Sequence, residues 1–489
     1  MKSVPRQIWP AAPFAALLIA AAPPAPPVIQ SPPPVAPTPL TPPAVSPHVM
    51  PKLTETQIDQ LRRMLDGAEA NGIAPSGGSS AAPTGDDTHA LVDAALDYAR
   101  ALHRGRLAES DFITDWGLRP AAYDPWPDFI AAAQADTLAA WIASLPPPYA
   151  GYDTLRTALA TYRAIDKAGG WPAIAAGDDL APGAGGDRVA TLRARLAIED
   201  KTLPDGPARY DDDVAAAVQR AQRRYGLEPS GIAGKATLAA LNVPARARVR
   251  QIEANMERWR WLPAALPDRR VQVNIAAAVL TMFDADKPVI SMRVVAGRPG
   301  DETPMLSSTI HSIVFNPPWN VPTSIATREL WPKERAHPGY LAQHGFRVIG
   351  TRLQQKAGPK SALGHVKFDF ENPYGVYLHD TPSQGTFDRY SRLASHGCVR
   401  LAHPVDLAKL ALQGDPTWTP DAVDAAIAKG NTVRAPLPNP TAVFIFYWTA
   451  YAGADGKVSF LGDPYGWDGL LADRLTTSAN RARQMVATK

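Results

Sequence analysis

The chain has 489 residues, with 50 Lys+Arg against 47 Asp+Glu and a single cysteine. That length exceeds one ordinary domain, so two to four modules are expected. The near-balance of charge gives no reason to expect a nucleic-acid partner, and one thiol excludes an intramolecular disulfide framework or a thiolate metal cage.

Lys2 and Arg6 precede an apolar run from Ala11 to Ala22, the layout of a secretory signal. The run is shorter than the ~20 apolar residues that a membrane-spanning helix needs. Ala20-Ala21-Ala22 offers small residues for cleavage, whereas Pro23 directly after them disfavours it. Residues 1–22 are therefore expected to export the chain, either leaving it or staying as an inner-membrane anchor. Residues 23–50 carry runs such as Pro-Pro-Ala-Pro-Pro and predict a disordered, polyproline-like linker.

Residues 51–187 predict a helical scaffold. Thr54-Glu55-Thr56-Gln57 fits a capping box opening a helix through Ile58, Leu61 and Leu65. Further helical patterns cover 90–102, 128–145 and 152–165, rich in Ala and Leu. None of them carries a catalytic signal.

Residues 188–245 predict a small helical unit. Asp187 is placed as N-cap of its first helix. The second runs from Asp211 to Tyr225, with Val214, Val218 and Ala221 on one face. Gly226 stops it at a position suited to left-handed geometry. A turn through Gly231 and Gly234 leads to a third helix over 235–241, and 246–267 predicts a connecting helix.

After Asp268 the hydrophobic period changes from helical to alternating. Strands are expected over 271–275, 278–283, 289–295 and 312–315. This β-rich unit spans 268–437, and residues 325–365 read as an insertion over it, helical near 326–334 with a Lys/Pro/Gly loop over 354–361. Residues 438–489 predict one core strand at 444–448 and a closing helix from Asp468 to Leu475.

Cys398 sits in Ser395-His396-Gly397-Cys398-Val399-Arg400, 19 positions after His379 (398 − 379). A cysteine attacks as thiolate, and with a free pKa of about 8.5 it needs help near neutrality. A histidine can take the thiol proton and hand it on to a leaving amine, provided its other ring nitrogen is held. Gly397 lets the backbone bend before Cys398, and a tight Gly-Cys turn can offer N–H groups to an oxyanion. Arg400 adds a fixed charge suited to a substrate carboxylate. His396, two residues before Cys398, shares its face on a strand. His311, His337, His344, His365 and His403 lack metal-like spacing.

These residues resemble the L,D-transpeptidases with a YkuD-type catalytic domain. The family motif is an upstream histidine, a spacer, then Ser/Thr-His-Gly-Cys, an apolar residue and Arg or Asn. Val295-Ala296-Gly297-Arg298, Phe315-Asn316-Pro317-Pro318-Trp319 and Gly358-Pro359-Lys360 are similar to that family too. The string from Val218 to Gln222, with Tyr225-Gly226-Leu227, Gly231 to Gly234 and Leu241-Asn242, resembles a three-helix peptidoglycan-binding domain. The resemblance implies a multidomain α+β protein of the large periplasmic branch. It joins a β-sandwich catalytic domain with short helices to a helical scaffold and a peptidoglycan-binding domain.

The resemblance also implies roles. Cys398 would be the nucleophile and His379 the general base. The third member would be a backbone carbonyl beside the histidine, where Asp380 offers both carbonyl and carboxylate. His396, Ser395 and Arg400 would orient substrate and motif, and Gly397 and Cys398 would supply oxyanion N–H groups. Tyr374, Trp319 and Trp331 would line the donor cleft. The implied reaction joins two peptidoglycan stem peptides in a 3→3 cross-link through a thioester, with no metal or organic cofactor. Residues 188–245 would hold glycan strands in the periplasm. The alternatives are lipoprotein attachment, D-amino acid exchange or cross-link hydrolysis at the same site, or a non-catalytic wall-binding scaffold.

Overall fold

The computed structural model describes residues 50–73, 87–453 and 456–487, the last nine by backbone alone. The expected export signal and nearly all of the Pro-rich linker lie outside these residues. No helix among the described residues is long and apolar enough to cross a membrane.

Five helices form the scaffold: α1 (Glu55–Asp66), α2 (Thr88–Arg104), α3 (Trp126–Gln134), α4 (Leu138–Ser144) and α5 (Ala150–Lys167). The capping box is present, with Gln57 N–H donating to Thr54 Oγ1 at 3.2 Å and Thr54 N–H to Gln57 Oε1 at 3.0 Å. The single helix expected over 128–145 is two. The chain turns between them through Asp136, whose φ of 55° no helix continues.

The small helical unit comprises α6 (Asp187–Glu199), α7 (Asp212–Arg224) and α8 (Lys235–Leu241). Asp187 lies inside the first turn of α6 rather than at its N-cap, which Gly186 occupies without a side-chain bond. Asp211 does cap α7, accepting from Val214 N–H at 3.0 Å. Buried Gln222 organises the turn: its amide donates to Ile232 O at 2.9 Å and accepts from Gly231 N–H at 2.9 Å. The unit is locked to the scaffold through Glu199. This carboxylate accepts from Arg195 at 2.7 Å, from the Tyr225 hydroxyl at 2.5 Å and from the Tyr162 hydroxyl of α5. Burial raises the Glu199 pKa, but Arg195 and Arg224 outweigh it and hold the carboxyl below its ordinary value. Helix α9 (Ala245–Trp259) then packs along α5.

The remaining chain is built on strands β1 (Arg270–Asn274), β2 (Val279–Asp284), β3 (Lys287–Gly297), β4 (Leu306–Phe315), β5 (Trp319–Asn320), β6 (Phe346–Ile349), β7 (Arg352–Gln355), β8 (Val366–Phe370), β9 (Leu378–His379), β10 (Leu393–Ser395), β11 (Val399–Leu401), β12 (Val433–Phe446), β13 (Ala450–Ala452) and β14 (Val458–Phe460). Nine of them form one sheet in the order β10-β3-β11-β9-β8-β4-β12-β1-β2, and β2 also pairs with β3. The expected sandwich faces are thus joined into a closed ring, which leaves few free edges. Two boundaries differ from expectation. β12 runs across the break drawn at 437 and belongs to this sheet, parallel to β1 and antiparallel to β4. The closing helix (α10, Trp467–Ala487) is longer than 468–475.

The insertion is a separate small body. It carries a three-stranded sheet, β5-β7-β6, that starts at Trp319. A helical stretch over 323–336 includes a π-helical turn at Ala326–Leu330. Its own core gathers Val321, Ala326, Leu330, Leu341 and Leu353, apart from the main core. The loop expected over 354–361 is strand as far as Gln355.

Candidate active site

Strands β9 and β11 run parallel, with Leu378 opposite Val399 and His379 opposite Arg400. Side chains alternate along a strand. Leu378, Val399 and Leu401 accordingly point into the core, each fully buried. His379 and Arg400 share the other face, and stepping back two residues puts Tyr377 and Cys398 there too. The register thus assembles residues 19 positions apart onto one surface.

The turn before β11 is tied from both sides. Ser395 Oγ donates to Cys398 O at 2.5 Å and accepts from Gly397 N–H at 3.2 Å. Thr303 Oγ1, fully buried, donates to Gly397 O at 2.7 Å. Gly397 has φ +105°, a conformation L side chains rarely adopt, and an added Cβ would meet Glu302 O at 3.2 Å. Cys398 N–H has no hydrogen-bond partner among the described residues.

His379 is buried, and its Nδ1 lies 2.5 Å from Asp380 O. A carbonyl can only accept, so Nδ1 carries the proton and Nε2 is a lone-pair base. Burial, then the positive charge of Arg400, push the His379 pKa down to about 3. The ring is therefore neutral at any physiological pH. Asp380 engages the histidine through its carbonyl. Its carboxylate is spent on backbone, accepting His365 N–H and Thr381 N–H at 2.7 Å each.

The Cys398 thiol is a free thiol, part-exposed, with Gly375 O at 4.0 Å from Sγ. Burial pushes its pKa up. The Tyr377 N–H and hydroxyl, then Lys367 and Arg400, pull the other way. The resting pair is neutral thiol and neutral imidazole. The Arg400 guanidinium makes no hydrogen bond or ion pair among the described residues, and its Nε is buried without a partner.

The other expected residues lie around this face. His396 Nε2 is 2.6 Å from Glu329 Oε1 of the insertion. Trp319, at the base of the insertion, packs on the insertion's core and beside Phe346. Trp331 packs on the insertion's own core. The Tyr374 hydroxyl donates to Thr114 O of the scaffold at 2.8 Å. Its loop is therefore held against the scaffold one residue from the carbonyl that faces the thiol. Tyr377, Glu329 and the scaffold loop at Thr114 carried no motif signal, whereas Thr303 stands in Thr303-Pro304, which is similar to the family. Only an aromatic two residues before His379 on a strand could have flagged Tyr377. Among the described residues no three metal-ligating side chains cluster.

With this geometry in hand, comparison with known proteins is informative. Residues 268–419 match the family described as "L,D-transpeptidase catalytic domain" (YkuD). The chain carries a YkuD-type L,D-transpeptidase catalytic domain. Residues 185–241 match the family "Putative peptidoglycan binding domain", and residues 51–159 match "Scaffold domain". A curated Haemophilus influenzae protein named "Putative L,D-transpeptidase" is 32% identical over 217 residues, which is 40% of this chain and 44% of that protein. The match thus spans less than half of that relative. Solved structures of L,D-transpeptidases include one from Mycobacterium smegmatis, at 17% identity over 37% of this chain and 58% of that one, with TM-score 0.21. Another is from Xylanimonas cellulosilytica, at 15% identity over 56% and 99%, with TM-score 0.20. Likeness at that level carries no weight for the site.

Proposed function

We propose that this protein is an L,D-transpeptidase of the bacterial envelope that joins peptidoglycan stem peptides in 3→3 cross-links through a thioester on Cys398. The observation that carries the reading is the shared face of β9 and β11. There Cys398 shares a face with a histidine whose tautomer is set by Asp380 O. His379 Nε2 takes the thiol proton as Sγ attacks the amide carbonyl after the third stem residue. The same proton passes to the departing amine of the terminal D-alanine, leaving a thioester. The side-chain amine of a second stem then attacks the thioester carbonyl and gives its proton to His379, which passes it to the departing sulfur and restores the thiol.

Because both partners rest neutral, the proton moves with the attack rather than before it. Cys398 N–H is the free donor for the oxyanion. Gly397 N–H would have to leave Ser395 Oγ to join it. The uncompensated Arg400 guanidinium suits a stem carboxylate. Trp319 and Tyr374 border the cleft, and Trp331 borders it from the insertion. The insertion shields the thioester from water, since hydrolysis competes with aminolysis. Residues 188–245 hold glycan and raise the local substrate concentration.

Two measurements on the full chain test the reading. Intact-mass spectrometry with a carbapenem should show one covalent adduct in the wild type and none in Cys398→Ala. Digestion with purified sacculi should then give 3→3 dimers. An unmodified, reduced Cys398 would refute the nucleophile. An adduct with only tripeptide products would make the enzyme a hydrolase, and free D-alanine replaced by added D-amino acids would make it an exchanger.

A further inference from the structure

A cavity of about 720 Å³ lies where three parts of the chain meet: the C-terminal end of α7, the segment 390–393 leading into β10, and the β13–β14 hairpin. Its walls are built rather than accidental. Gly226, at φ +63°, sits so close to the hairpin that an added Cβ would meet Leu461 Cδ2 at 2.3 Å, with the Tyr390 hydroxyl 3.9 Å away. The far wall is fixed by the Glu199 cluster described above.

Most of the lining is apolar, and its charged side chains are mainly cationic. Arg220, Arg223, Arg224, Arg392 and Lys457 face Asp200, with Glu199 behind the wall and Glu228 near Tyr390. Arg220 is paired to Asp200 at 2.7 Å. The Arg223 side chain is exposed and makes no hydrogen bond or ion pair among the described residues. Arg392 donates only to carbonyls, those of Ala277, Ala278, Arg389 and Tyr390, and its Nε has no partner. Beside these charges Tyr390 stands 57% exposed, the most exposed large aromatic among the described residues.

We propose that this cleft is a binding subsite for a carboxylate-bearing saccharide strand, shared between the peptidoglycan-binding unit and the catalytic domain. Tyr390 offers a flat apolar face to a sugar ring, and Arg223 and Arg392 offer guanidinium donors to carboxylates. The floor runs straight into chemistry, because Leu393 begins the strand that ends at Ser395, three residues before Cys398. A strand lying here would present its stems toward the thiol. This inference rests on the peptidoglycan reading and places the held strand between the domains instead of on the helical unit alone.

The test is calorimetric titration of the full chain with soluble, un-cross-linked glycan strands carrying their peptide stems, at fixed ionic strength. Arg223→Glu and Tyr390→Ala should each weaken binding by roughly tenfold with unchanged melting temperature, and Arg223→Ala should fall between. Carboxylate-free chitin oligomers should bind more weakly than the strands. Variants that bind like the wild type overturn the proposal. So does full displacement of the strands by heparin, which would mark a mere charge trap. Carbapenem acylation of the wild type is followed in parallel. No strand binding with intact acylation sinks the cleft but leaves the enzyme reading standing. Variant-sensitive binding without acylation does the reverse.

Discussion

His396 Nε2 and Glu329 Oε1 stand 2.6 Å apart across the boundary between the catalytic sheet and the insertion. Glu329 also neighbours Arg298 at 3.7 Å, and Arg298 and Arg328 both hold Asp301, at 2.7 and 2.9 Å. The insertion has its own core, and these polar ties join it to the motif. Glu329 lies in a π-helical turn, a form often kept at functional positions. Both side chains of the His396–Glu329 pair are part-exposed, so its loss should cost little global stability, about 0–1 kcal/mol. Glu329→Ala should leave the melting temperature nearly unchanged and speed amide hydrogen exchange over residues 323–343. Unaltered exchange there would show that the contact does not hold the insertion down.

The pH dependence follows from two opposed shifts. His379 is held down to about 3 by burial and by Arg400, so it stays a base far below the ordinary histidine range. The thiol is raised above its ordinary value by burial. Carbapenem acylation should therefore show no acid limb near 6.5. It should rise with pH and reach no plateau by about pH 8.5. Stability runs with the same sign. The unfolded chain protonates His379 as pH falls through about 6.5, whereas the folded chain resists to about 3, so this group removes stability on acidification across that window. An acylation profile with a half-point near 6.5 would contradict the burial of His379.

Asp380 and Gly364 act as one unit. The Asp380 carboxylate takes two backbone N–H groups, and Gly364, at φ +56°, makes room for it: a Cβ there would meet Oδ2 at 2.2 Å. Asp380→Asn must turn an amide donor toward one of those N–H groups, at a cost of about 1–3 kcal/mol. Gly364→Ala should destabilise by a similar amount and displace the same carboxylate. In both variants acylation should slow, because the carbonyl that orients His379 moves. Denaturant melts and acylation rates measured together decide the matter. A variant that is less stable yet acylates at the wild-type rate would separate Asp380 from the site.

The chemistry was legible because its signal is contiguous: six residues around Cys398 and one strand-end histidine. Residues that act from a distance in sequence were not. Glu329 lies 67 positions before His396, and nothing in a local pattern joins them. The Asp380 carbonyl came only through the family resemblance, because every residue owns a carbonyl. The sheet edge at 437 was misplaced for a physical reason. Pro436, Pro438 and Pro440 punctuate the sequence, yet β12 absorbs them in a register shift between Pro436 and Thr441 opposite β4. The insertion's strands are four residues or fewer, too short for alternation to register. The break at Asp136 left no glycine or proline to mark it.

Tyr377 is the neighbour most directly tied to the thiol. Its hydroxyl and its N–H both draw the Cys398 pKa down, against burial. Tyr377→Phe keeps the ring and the backbone N–H but removes the hydroxyl. The thiol pKa should then climb further, and alkylation by iodoacetamide at neutral pH should slow by roughly three- to tenfold, the equivalent of half to one pK unit. Raising the pH should restore most of the alkylation rate, because the defect lies in ionisation and not in access. If the loss persists at high pH, Tyr377 shapes the cleft instead of tuning the sulfur. If alkylation is unchanged at every pH, its hydroxyl does not act on Cys398 at all.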